Sequence, residues 1–225
     1  MEEMNPDMTT IRLLGAAQLT VFVASLFSEQ MLKSVVGSGG MTDTLVKIAE
    51  NVPLMRISNL VALLNSLAII ILGLLFYVAL NEQNKTLALV ALGCFIAEGI
   101  TLAVSKIGTY ALIPLGQEFV AAGSPESSYF QSLGEFLYKG VDRRGYDIHM
   151  LFFCVGGILW YYLLLVSGSV PQALSIWGLV AVCLILIPSG LALFDREFLP
   201  VMLLAIPYAP FELVLGLWLV VKGFH

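Results

Sequence analysis

Long apolar runs alternate with short polar interruptions along this chain, and the runs have the length of a membrane crossing. A hydrocarbon core of about 30 Å takes about 20 helical residues, and six stretches meet that length: 11–31, 54–80, 86–104, 148–166, 173–194 and 198–221. The second is long enough to tilt or to start in the interface. Pro188, Pro207 and Pro210 fall inside the last two runs, which membrane helices tolerate when neighbours or water satisfy the freed carbonyls. The pattern predicts an all-α protein, a single integral membrane bundle of six transmembrane helices occupying residues 1–225.

Two loops carry helical periodicity of their own. In the first, Leu45, Ile48, Ala49 and Val52 repeat at helical spacing behind Thr42 as a cap. In the third, 105–147, the residues Tyr129, Phe130, Leu133, Phe136 and Leu137 fall on one helical face. Both predict short interfacial helices lying on the membrane. They either cap the bundle or, sharing one membrane face, jointly cover an entrance.

Composition agrees with the runs: 59% of residues are hydrophobic, 12% are charged and the mean hydropathy is +0.92, against about 25% charged in soluble domains. The first run is too long for a signal-peptide core and follows acidic Glu2, Glu3 and Asp7, so it reads as a retained helix. Cys94, Cys154 and Cys183 all lie in expected spans and read as small apolar packing residues. The net charge of -5 is spread among loops and argues for no nucleic-acid partner. Arg12, Lys85 and Lys222 fall on one membrane side and Lys33, Lys47, Arg56, Lys106, Lys139, Arg143, Arg144 and Arg196 on the other, which favours both termini outside.

Against this background, two carboxylates stand out. Glu98 lies near the middle of the third run and Glu212 near the middle of the sixth. A charge there costs about 2.5–3.5 kcal/mol on insertion scales, so each is protonated, paired or facing a wet interior. The functional reading is a proton relay or a polar anchor for a ligand amine or hydroxyl. The structural alternative is a hydrogen bond to a neighbouring helix, which the carbonyls freed near Pro207 and Pro210 make concrete for Glu212. Arg12, Arg56 and Glu29 occupy helix ends, where snorkelling is the default. Arg56 also opens a polar stripe with Asn59, Asn65 and Ser66, which is either interhelical glue or a cavity lining.

His149 opens the fourth run and His225 ends the chain; with six crossings they sit on opposite faces, which excludes a bis-His haem within one chain. No HExxH, CxxC or paired-Asp pattern appears, so no metal and no cofactor is expected. The third and sixth runs each place one Glu about a dozen residues in, a faint inverted repeat of the kind that builds midplane transporter sites.

The stretches Ile11-Arg-Leu-Leu-Gly15, Tyr77-Val-Ala-Leu, Asn84-Lys-Thr-Leu-Ala-Leu, Gly145-Tyr146 before Leu151-Phe-Phe, Ser167-Gly-Ser-Val-Pro171 and above all Phe211-Glu-Leu-Val-Leu-Gly-Leu-Trp-Leu-Val-Val-Lys-Gly223 resemble a bacterial multi-pass membrane family of unknown function, DUF4386. The likeness covers nearly the whole chain. Arg12, Glu98, Pro171, Glu212, Trp218 and Lys222 match its pattern, whereas Gly156 stands where a polar residue or His is expected in relatives. The resemblance implies six helices, membrane residence and a cytoplasmic N-terminus, in conflict with the charge count here, and it implies no reaction.

The reading that follows is a multi-pass protein of the bacterial cytoplasmic (inner) membrane. It is expected to bind a small or lipidic ligand in an intramembrane cavity and to move it with protons. Glu98 would titrate or touch the ligand, Glu212 would partner it, Asn59 and Asn65 would line the site, and Arg56 and Arg12 are further candidates. The alternatives are a non-catalytic assembly subunit that docks a membrane protein or a second copy through Trp160, Tyr161 and Tyr162, and an intramembrane enzyme using Glu98 as acid or base.

Overall fold

The computed structural model describes residues 7–125, 129–194, 203–204 and 206–224, and among them no strand occurs. The elements are α1 (Met8–Val36), α2 (Met41–Glu50), α3 (Val52–Leu80), α4 (Lys85–Ala121), α5 (Tyr129–Glu135), a π-helical segment (Phe136–Arg143), α6 (Arg144–Ser167), α7 (Gln172–Phe194) and α8 (Tyr208–Val221). Five are long and apolar enough to cross a membrane: α1, α3, α4, the continuous rod Tyr129–Ser167 and α7. They contain the expected runs 11–31, 54–80, 86–104, 148–166 and 173–194.

Of the expected sixth crossing, the described helix is α8, 14 residues or about 21 Å at 1.5 Å per residue, short of a full span. The start of that run, 198–202 and 205, lies outside the described residues, as do Glu2, Glu3, Arg196 and His225.

Helix occupies 105–121 and 129–147 of the expected long third loop. α4 continues past Val104 to Ala121, because Ile113, Leu115 and Phe119 keep an apolar face in the core. The polar pair Ser105 and Lys106, which looked like a span end, is buried instead. The expected amphipathic helix exists, but its face divides. Phe130 and Leu137 pack inward, while Tyr129, Leu133 and Phe136 are exposed. Thr42 is not the cap of α2. Gly40 holds that position, and the Thr42 hydroxyl accepts a hydrogen bond from the Gln131 amide at 2.7 Å. At α1 the cap is Asp7, whose carboxylate accepts the Thr10 backbone N–H at 2.7 Å. Hydrogen bonds from the Thr10 side chain and backbone hold that carboxyl below its usual range.

The chain divides into two compact units, Met1–Phe22 with Leu67–Gly99 and Asp147–His225, and Val23–Ser66 with Ile100–Tyr146. The first unit packs on aromatic side chains. Phe76 stacks on Trp160 with centroids 5.2 Å apart, and Phe95 meets both edge-on. Gly156 makes room for this, since a Cβ there would come within 2.6 Å of the Phe95 ring. Gly15 likewise lets α1 meet the backbone of α8, where a Cβ would sit 2.7 Å from the Val220 nitrogen and 2.8 Å from the Gly216 oxygen. In the second unit, α2 lays Leu45 and Ile48 into a core with Leu112, Phe119 and Phe130. Gly116 allows its close approach to the Leu45 carbonyl.

Candidate functional site

In the first unit the buried polar groups converge from four helices. α4 brings Glu98, 3% exposed, and α6 brings His149, 6% exposed. Glu98 Oε1 lies 3.9 Å from His149 Nδ1, and its Oε2 has no hydrogen-bond partner among the described residues. α8 brings Glu212, whose Oε1 accepts a hydrogen bond from Gln18 Nε2 of α1 at 2.9 Å. Glu98 and Glu212 lie within electrostatic range of each other. Tyr161 and Tyr208, both buried, join hydroxyls at 2.6 Å and lie within range of both carboxylates.

Helical spacing explains the convergence. Tyr208 and Glu212 are one turn apart on α8, and His149 and Phe153 one turn apart on α6. Side chains at i and i+4 share a face, and Phe153 meets Tyr208 edge-on at 5.1 Å. Tyr161 and Trp177 each pack against Phe211, so the polar groups adjoin a contiguous aromatic surface. Of the aromatic trio expected to form a docking surface, Trp160 and Tyr161 are 0% and 2% exposed, and Tyr162 alone faces outward.

The other candidate residues lie elsewhere or point outward. Arg12 is exposed. In the second unit Arg56 is exposed as well, while Asn59 Oδ1 accepts a hydrogen bond from Thr109 at 2.7 Å and Asn65 donates to Ser25 Oγ at 2.9 Å. Sequence reasoning missed the main polar feature of this unit, an alternating ladder of charges. Lys106 Nζ donates to Asp142 Oδ1 at 2.6 Å and Arg143 Nε to Asp142 Oδ2 at 2.8 Å. Arg143 also reaches Glu29 at 3.1 Å, and Glu29 lies 3.6 Å from Lys33 at the surface. Tyr138 and Tyr146 rings flank the Arg143 guanidinium at 5.3 and 5.5 Å. Both oxygens of Asp142 are thus occupied by cations of the chain itself, and the carboxylate is neutralised where it sits.

Helices of this length and apolarity define a multi-pass membrane protein whose natural environment is a lipid bilayer. The two acids, Glu98 buried and Glu212 half-buried, are each carried on an apolar helix. The chain belongs to the DUF4386 family, described as a domain of unknown function, whose family model matches residues 13–223. No curated protein and no solved structure matches it.

Proposed function

We propose that the protein binds a small ligand within the membrane at the cluster around Glu98, and that binding is linked to a proton on that residue. One observation carries this reading: Glu98 is 3% exposed on a membrane-length helix, and its Oε2 has no hydrogen-bond partner among the described residues. A carboxyl retained for packing would be expected to satisfy both oxygens, because a buried unmade hydrogen bond costs about 1–3 kcal/mol. Ionisable groups inside the membrane mark substrate and proton pathways by default.

Glu212, held by Gln18, is the second acid of the site, and the hydroxyl pair Tyr161–Tyr208 connects it to the aromatic surface. Six crossings, with 198–221 as the last, and residence in the bacterial cytoplasmic membrane belong to the same reading. Asn59 and Asn65 join neighbouring helices, and Arg12 and Arg56 serve as headgroup anchors.

The test is infrared difference spectroscopy between about pH 5 and 9, which brackets the behaviour of buried carboxyls. Wild-type protein in lipid should show a carboxyl band that Glu98→Gln removes. Superimposable spectra from the two proteins would sink the proposal.

A further inference from the structure

Resting on the reading above, the charges facing one another in the first unit point to the kind of ligand that completes them. The titratable groups around Glu98 are Cys94 on its own helix, His149, Cys154 and Tyr161 from α6, and Tyr208 and Glu212 from α8, with Gln18 of α1 as a neutral donor. Asp147 has a partner of its own. Among these described groups Glu98 faces the one imidazole, and Glu212 lies within electrostatic range of Glu98. Even with His149 protonated, the fully ionised set among the described residues lacks one positive charge, and an uncompensated charge in an apolar interior neutralises rather than persists. A proton on one acid supplies the missing charge in the empty state.

Any other monovalent cation can take the proton's place. A small metal ion needs a shell of several oxygen or nitrogen ligands, and among the described residues no group of three His, Cys, Asp or Glu is arranged to hold one. The side chains packed beside the acids are aromatic instead, a largely buried cluster of Phe153, Tyr161, Tyr208, Phe211 and Trp177. Ring faces attract organic ammonium groups, most strongly where water is excluded, and the alkyl part of such a cation is at home among them.

The geometry points to an organic cation of single positive charge, a protonated amine or quaternary ammonium, that docks on Glu98 and Glu212 in exchange for one proton. The exchange balances: the ammonium enters with its charge, the Glu98 carboxylic acid becomes carboxylate, and its proton leaves to solvent. No covalent bond other than that O–H is broken. Loading with cation and loading with proton are mutually exclusive, as a device that couples the two requires.

The experiment uses the full chain in lipid nanodiscs in weak buffer, titrated with benzyltrimethylammonium while heat and proton release are recorded. The expected result is saturable binding with one proton released per cation, both absent in Glu98→Gln. Glu98→Asp, which keeps the charge, should retain the stoichiometry at altered affinity and serves if the Gln variant does not fold. Sodium or potassium releasing the proton equally well, or an uncharged isostere binding equally well, would overturn the assignment. Absence of cation binding while the infrared band of Glu98 still titrates would overturn this inference and leave the proposed function standing. Absence of both would remove both.

Discussion

Asp142 supports the sharpest stability prediction. Its side chain is 0% exposed and that of Lys106 6%, with 2.6 Å between Oδ1 and Nζ. Replacing Asp142 by Asn removes the charge and leaves an ammonium buried without a counter-ion, and breaking a buried pair in this way costs about 3–5 kcal/mol. Arg143 adds little to that figure, because it retains Glu29 at 3.1 Å. The reverse substitution, Lys106→Met, should cost less. Asp142 then keeps Arg143 at 2.8 Å, so the loss is that of one charged hydrogen bond, about 1.5–3 kcal/mol. In the double variant the stranded ammonium is gone, so it should be more stable than Asp142→Asn alone, with a coupling of about 0.5–3 kcal/mol.

The assay is reversible unfolding of wild type and the three variants in mixed micelles with increasing dodecyl sulfate, followed by far-ultraviolet circular dichroism. Lys106→Met costing as much as Asp142→Asn would refute the reasoning. So would a double variant less stable than both single ones.

Glycine packing offers an independent check. Gly15→Ala should destabilise by about 1–3 kcal/mol, the usual range for overpacking, because its Cβ meets the α8 backbone; Gly190→Ala meets nothing within 4 Å and should stabilise by about 0.5–1 kcal/mol through helix propensity. The same unfolding assay distinguishes them by sign. Tyr208→Phe strands the hydroxyl of Tyr161, bonded to it at 2.6 Å in the wild type, and should cost about 1–3 kcal/mol, whereas changing both to Phe should recover part of the loss. At the start of α1, the Asp7 carboxyl is held below its ordinary value, so its capping contribution is complete above the unfolded value and lost as pH falls through the folded one. Hydrogen exchange in the first turn of α1 should accelerate over that acid range in wild type, and an Asp7→Ala chain should lack the transition.

Apolar periodicity carried most of the fold. The cores of α1, α3, α6 and α7 followed from run length, and the inward face of α2 from Leu45 and Ile48. Where the structure departs from that periodicity, a polar residue that reads locally as a boundary has its partner far along the chain. Lys106 and Asp142 are 36 residues apart, and no local spacing joins them, so the lysine looked like the end of a span. Continuing periodicity through Ile107, Leu112 and Phe119 was the available signal that α4 goes on. The π-helical segment has no comparable signature, nor has the division of the 129–137 face into buried Phe130 and exposed Tyr129 and Phe136. Trp160 and Tyr161 read from sequence as part of an outward docking surface because aromatic residues near a span end usually meet the membrane interface. Their burial follows from partners on other helices, Phe76 and Phe95 for the indole and Tyr208 and Phe211 for the phenol.

The two units treat buried charge in opposite ways, and the difference argues for where function resides. In the second, every carboxylate of the buried ladder meets a cation of the chain: Asp142 holds Lys106 and Arg143, and Glu29 holds Arg143 and Lys33. A network closed on itself fixes helices in place and has no use for a guest. In the first, Glu98 meets one histidine and lies within electrostatic range of a second acid, Glu212, and one oxygen of Glu98 has no hydrogen-bond partner among the described residues. Incomplete satisfaction of this kind weakens a fold, and a neutral glutamine or leucine at the same position would avoid the charge altogether. An acid kept in an apolar helix at that cost is what the proposed exchange of a proton for a cation would require.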